Sequence, residues 1–105
     1  MTVNEWIKSL PSALRVDRIS NLEKTIQFEV SDPVYMVIAK GSASVHEGTS
    51  PNADLTLRAN DQDMIAVLSG ELNGVEAFMG GKLQVNGDLM LAQQFLTMFD
   101  TEKLR

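Results

Sequence analysis

The residues of this chain that could do chemistry are few, and their spacing does not favour catalysis. His46 is the single histidine and stands beside Glu47, a pairing that could serve as a general base. By sequence the pair lies at a strand end before a loop, with no nucleophile near it, so a solvated surface histidine is the expected state. The absence of cysteine excludes disulfides and thiolate metal sites, and a lone histidine excludes multi-histidine metal sites. Asp61 and Asp63 are two carboxylates at the start of a helical pattern, where the helix dipole stabilises negative charge. Capping is their expected role. Gly80-Gly81-Lys82 has residue types found in phosphate loops, but the Walker spacing is not met and a strand follows instead of a helix. These residues predict no enzyme, no cofactor and no metal.

Composition narrows the partners. The chain has 105 residues, enough for one domain over 1–105 that buries roughly 60–70% of its unfolded surface. Its net charge is −5, from fourteen acidic and nine basic residues, and the cations are scattered singly. A nucleic-acid partner needs a phosphate-neutralising patch, which is missing. The same deficit weakens attraction to anionic membranes, leaving only transient, apolar membrane contact. Residues 1–6 lack the basic and apolar blocks of a signal peptide, and no apolar run approaches membrane-spanning length. The last three residues, Lys103-Leu104-Arg105, do not spell a peroxisomal Ser-Lys-Leu address, so a cytoplasmic location is expected.

The elements that must position any site read clearly. Thr2-x-x-Glu5 is a capping box, and Trp6, Ile7, Leu10 and Leu14 follow at helical spacing until Pro11 kinks or re-starts the helix. Ile26, Phe28 and Val30 alternate in a first strand. Val34–Ala39 is a second, apolar on both faces; Lys40-Gly41 turns into a third from Ser42 to His46. Leu55 and Leu57 mark the fourth. Asn60 with Asp63 caps a helix through Leu68, and Asn73 caps another through Met79. Gly80 and Gly81 stop it, Leu83 to Asn86 is a fifth strand, Gly87 breaks it, and Asp88 caps a last helix. Helices gathered after strand four predict an α+β fold of two layers, sheet on one side and helices on the other.

The last helix is unusually apolar. Leu89, Leu91, Ala92, Phe95, Leu96, Met98 and Phe99 cover about half its circumference at 100° per residue. Such a helix is either buried core or the wall of a cavity. The methionines are adaptable fillers that suit both readings, and Tyr35 could stand at a cavity rim.

Three runs together resemble one family. Ala77-Phe78-Met79-Gly80-Gly81-Lys82-Leu83-Gln84-Val85-Asn86-Gly87-Asp88 is similar to the A-F-M-x-G-K-L-x-x-x-G-(N/D) signature of the sterol carrier protein 2 domain. Ser50-Pro51-Asn52-Ala53-Asp54-Leu55-Thr56-Leu57 resembles that family's entry into strand four. Asp61-Gln62-Asp63-Met64 with Ala66–Asn73 resembles its following helix. The resemblance runs from about Ile26 to Phe99. It implies a five-stranded, mostly antiparallel sheet in the order 3-2-1-4-5, with one parallel pair and helices packed on one face. Ser42–Glu47 and Leu83–Asn86 become the edges.

The resemblance also implies a non-catalytic lipid carrier with an apolar tunnel between sheet and helices. Its lining falls on Ile65 and Leu68, on Phe78, Met79 and Leu83, and on Leu91, Phe95, Met98 and Phe99 of the last helix. Gln93 matches the position that meets the lipid's polar part. The ligand classes are fatty acid, acyl-CoA, sterol-like and isoprenoid lipids. An accessory role beside an enzyme partner and a homodimerisation module are the alternatives.

Overall fold

The computed structural model describes residues 2–13, 23–69 and 71–92. Helix α1 spans Val3–Ser9 and runs directly into a 3-10 turn, Leu10–Ala13. The α-helix thus ends at Ser9, because Pro11 lacks the N–H that would continue its hydrogen-bond ladder, and the chain re-starts as the tighter turn. The capping box forms as expected: Glu5 N donates to Thr2 Oγ1 at 3.2 Å, and Thr2 N donates to Glu5 Oε1 at 3.3 Å. Strands β1 (Lys24–Glu29), β2 (Val34–Ala39), β3 (Ser42–Glu47) and β4 (Leu55–Arg58) come next. Helices α2 (Asp61–Ser69) and α3 (Gly74–Met79) follow, then β5 (Gln84–Gly87) and a helical turn over residues 89–92.

The strands form one five-stranded sheet in the order β3-β2-β1-β4-β5. β1 and β4 pair in parallel, with Ile26 opposite Leu55 and Phe28 opposite Leu57; the other three pairings are antiparallel. The register puts the apolar residues in phase. Ile26 and Phe28, Val34, Met36 and Ile38, and Leu55 and Leu57 share one face and are buried. Val3, Ile7 and Leu10 cover that face from the first helical segment, and Met64, Val67 and Leu68 from α2. The helices thus lie on one face of the sheet, as the α+β reading requires.

Two turns fix this arrangement. Lys40 and Gly41 both have positive φ, 53° and 76°, and close the β2–β3 hairpin in two residues. Such turns match the strand twist, and the register Ala39 opposite Ser42 follows from them. The second is the crossover from β3 to β4, which must carry the chain from one side of β1 to the other. It is pinned by Gln27, whose side chain is 2% exposed. Gln27 Oε1 accepts from Ser50 N at 2.7 Å, and its Nε2 donates to Gly48 O at 3.2 Å and Val34 O at 3.1 Å. A residue that alternation marks as solvent-facing is thus a buried latch.

Boundaries move slightly from the sequence reading. The first strand ends at Glu29, leaving Val30 half-buried beyond it, and the fifth starts at Gln84 because Leu83 turns into the core. At the end of α3, Gly80 stays right-handed (φ −82°, ψ 0°) and Gly81 alone takes the left-handed conformation, at φ 79°. Leu14 lies outside the described residues.

Candidate functional site

The residues named for a tunnel fall into three groups. Leu68 on α2, Leu83 before β5 and Leu91 in the helical turn at 89–92 are buried within the core cluster, and Ile65 packs against it half-buried. Three separate segments of the C-terminal half thus converge on one apolar region. Phe78 and Met79 are elsewhere: they are 48% and 79% exposed, because the six-residue α3 buries only Gly74 and Ala77. Gln93, Phe95, Met98 and Phe99 lie outside the described residues.

Local capping explains how these side chains are presented. Asn60 Oδ1 accepts from Asp63 N at 2.7 Å and starts α2, aiming Met64, Val67 and Leu68 at the sheet. Asn73 Oδ1 accepts from Val75 N and Glu76 N at the start of α3. Asp88 Oδ1 accepts from Leu91 N at 3.1 Å, and Asp88 O from Ala92 N, so the cap expected there forms and turns Leu91 inward.

Asp61 does not act as that cap. Its carboxylate crosses to the end of β1, accepting from Ser31 Oγ at 2.6 Å and Ser31 N at 3.0 Å. The Ser31 hydroxyl, then its amide, hold the Asp61 carboxyl below the usual carboxylate range. A carboxylate with a depressed folded-state pKa stabilises the fold fully above its unfolded value, near pH 4, and loses that contribution as the pH falls through the folded value. Asp61→Asn should therefore be less stable than the parent at pH 6. Urea titrations should show the gap closing as the pH is taken below about 4; a gap unchanged at pH 2 would assign it to something other than charge.

The histidine expectation holds in part. His46 is exposed and its ring stacks on Tyr35, centroids 5.2 Å apart and planes at 26°. A hydroxyl does stand beside it, for Ser44 Oγ is 2.9 Å from His46 Nε2. Strand alternation supplies this neighbour, since residues two apart share a face. Among the described residues nothing holds the other ring nitrogen, so the pair lacks the third group that orients a base. Glu47 points away and pairs with Lys8 at 3.1 Å. Tyr35 stands on the sheet face away from the core, not at a rim of the apolar region. Among the described residues no cluster of acidic or histidine side chains could hold a metal, and no helix is long and apolar enough to cross a membrane.

A polar groove of about 380 Å³, unseen in the sequence, lies at the end of β4. Glu29, Arg58, Ala59, Asn60, Asp63, Gly81, Lys82 and Gln84 line it.

Against known proteins, residues 3–100 match the model of the SCP-2 sterol transfer family. The chain belongs to that family. As an SCP-2 domain it is a lipid-binding module, not a catalytic one. It is 35% identical over 57 residues to sterol carrier protein 2 of Bos taurus, covering 54% of this chain and 10% of that protein. It is 34% identical over 58 residues to peroxisomal multifunctional enzyme type 2 of Mus musculus, covering 54% and 8%. The chain thus spans about a tenth of these curated relatives. The structure of sterol carrier protein 2 from Yarrowia lipolytica superposes with a TM-score of 0.71 at 25% identity, covering 92% of this chain and 86% of that one.

The SCP-2 relatives overturn one expectation. A cytoplasmic location does not stand, because matched proteins of Mus musculus, Dictyostelium discoideum and Candida maltosa are peroxisomal. The absence of a Ser-Lys-Leu ending was the wrong signal, since an SCP-2 domain occupies only part of such proteins.

Proposed function

We propose that the chain, as one domain over 1–105, carries a long apolar ligand of the fatty acyl type. The observation that carries this reading is the burial of Leu68, Leu83 and Leu91 in one core cluster, with Ile65 packed against it, immediately before the apolar-rich sequence that follows Ala92. In this reading Phe95, Met98 and Phe99 close the site, and Gln93 meets the ligand's polar end. Phe78 and Met79 join it by rearrangement of the short α3, or touch a membrane transiently from their exposed position.

Acyl-CoA, sterol-like and isoprenoid lipids differ from a fatty acid mainly in shape, and apolar contacts discriminate shape weakly. Burying a palmitoyl chain gains roughly 11 kcal/mol at 0.8 per methylene. Association and ordering cost at least about 4 kcal/mol, which leaves at most about 7 kcal/mol and an affinity of roughly several micromolar or weaker. A fluorescent fatty acid should bind saturably and be displaced by palmitate. Phe95→Glu with Met98→Lys should weaken binding at least about tenfold, with the far-ultraviolet circular dichroism retained. Absence of binding across fatty acid, acyl-CoA and sterol probes would refute the carrier reading.

A second reading has its own support. The curated relatives are far longer than this chain, so the domain works in them as one module among others. Presentation of a lipid to an enzyme partner, or a homodimer, would then replace independent carriage. A pull-down that recovers a stoichiometric enzyme with bound lipid decides for presentation.

A further inference from the structure

The polar groove holds charges of both signs that do not neutralise one another. Glu29 and Arg58 are register partners on β1 and β4, Asp63 lies in the first turn of α2, and Lys82 follows Gly81 in the turn before β5. None of the four makes an ion pair among the described residues, where the two ion pairs are Lys8–Glu47 and Lys24–Asp88. The amides of Asn60 and Gln84 complete the lining. The Asn60 Oδ1 is engaged in capping α2, which leaves its NH2 group to donate. At about 380 Å³ the groove lies within the size range of small-molecule sites, roughly 300–1,000 Å³.

We propose that this groove is a second binding site, for a small zwitterion bearing a phosphate and an ammonium group. Phosphate oxygens can accept from the planar fork of Arg58 and from the Lys82 ammonium together. An ammonium has three donors for the Glu29 and Asp63 carboxylates. A simple anion would meet both carboxylates as repulsive neighbours, and a simple cation would meet Arg58 and Lys82. The two-sign lining therefore selects for a dipolar ligand. The site stands apart from the apolar one: Leu83 turns into the core while Lys82 and Gln84 on either side of it line the groove.

The test is an amide NMR titration of the full chain with O-phosphoethanolamine, with inorganic phosphate and ethanolamine run separately. Saturable shifts confined to the amides near residues 29, 58–63 and 81–84 are expected with the zwitterion, and weaker ones with either half alone. Arg58→Gln and Glu29→Gln should each weaken the zwitterion about fivefold, the size of one exposed charge contact. Fatty acid binding and the remaining amide spectrum should be unchanged in both variants. Vesicles of phosphatidylethanolamine that compete for the groove assign the group to a lipid; inert vesicles assign it to a soluble molecule. Shifts equal for phosphate alone, or indifferent to Glu29→Gln, would overturn the proposal, as would no shift at all. Fatty acid binding reports on the apolar site independently.

Discussion

Replacing Gly87 by alanine is expected to destabilise the protein by about 3 kcal/mol, more than any single surface change. Gly87 has φ 107°, a backbone conformation that costs side-chain-bearing residues about 1–3 kcal/mol. A Cβ there would also press into the main-chain carbonyl of Asp54. That carbonyl cannot retreat freely, because it accepts from Asp88 N at 3.0 Å, next to the pairing of Leu55 with Gly87. Asp54 N in turn donates to Thr25 O, and Thr25 N donates to Asp54 Oδ2. The strain must therefore spread into β1, β4 and β5. Chemical denaturation should show the midpoint falling with little change in slope. A loss below about 1 kcal/mol would mean that β5 shifts to accept the methyl group.

Gln27→Ala is expected to cost about 2–4 kcal/mol, because it strands several partly buried backbone groups at once. The Ser50 amide and the Gly48 and Val34 carbonyls all lose their partner. Gln27→Glu sharpens the test. The carboxylate keeps the size and the acceptor but turns an amide donor into an oxygen facing two carbonyls. Its pKa is then raised in the folded state, so stability relative to the parent should be best at low pH and decline as the pH rises through that value. A Gln27→Glu variant as stable at pH 8 as at pH 4 would show that the latch contributes little.

These two residues show what was legible in the sequence. Gly87 announced itself, since a glycine after an alternating run and before an aspartate cap is a local signal. The capping box at Thr2 and the caps at Asn60, Asn73 and Asp88 were legible for the same reason, as each depends on neighbours a few residues away, whereas the strand order came only from the family resemblance. Gln27 did not, because its burial comes from Gly48 and Ser50, more than twenty residues later. The Asp61–Ser31 clamp is equally non-local. The charged groove draws on β1, β4, α2 and the turn at Gly81, so no window of sequence contains it. Leu68, Leu83 and Leu91, which the family resemblance named as tunnel lining, are buried in the core cluster. Phe78 and Met79 are outside it because a helix of six residues has too little face to bury them.

The parallel pairing of β1 with β4 has a consequence for the order of folding. β1, β2 and β3 are sequential neighbours, and loops of a few residues join them, so this meander can form from local contacts. Ile26 meets Leu55 only after the chain between them is in place, and closing so long a loop loses entropy before any contact offsets it. β5 can dock only on β4, so it is later still. The rate-limiting barrier should thus lie at the seam between β1 and β4, and substitutions in the hairpin at Lys40-Gly41 should slow folding while those in β5 mainly speed unfolding. The half of the domain from β4 onward, where the lipid site is proposed, is by its topology the last part to be made and the first to be undone.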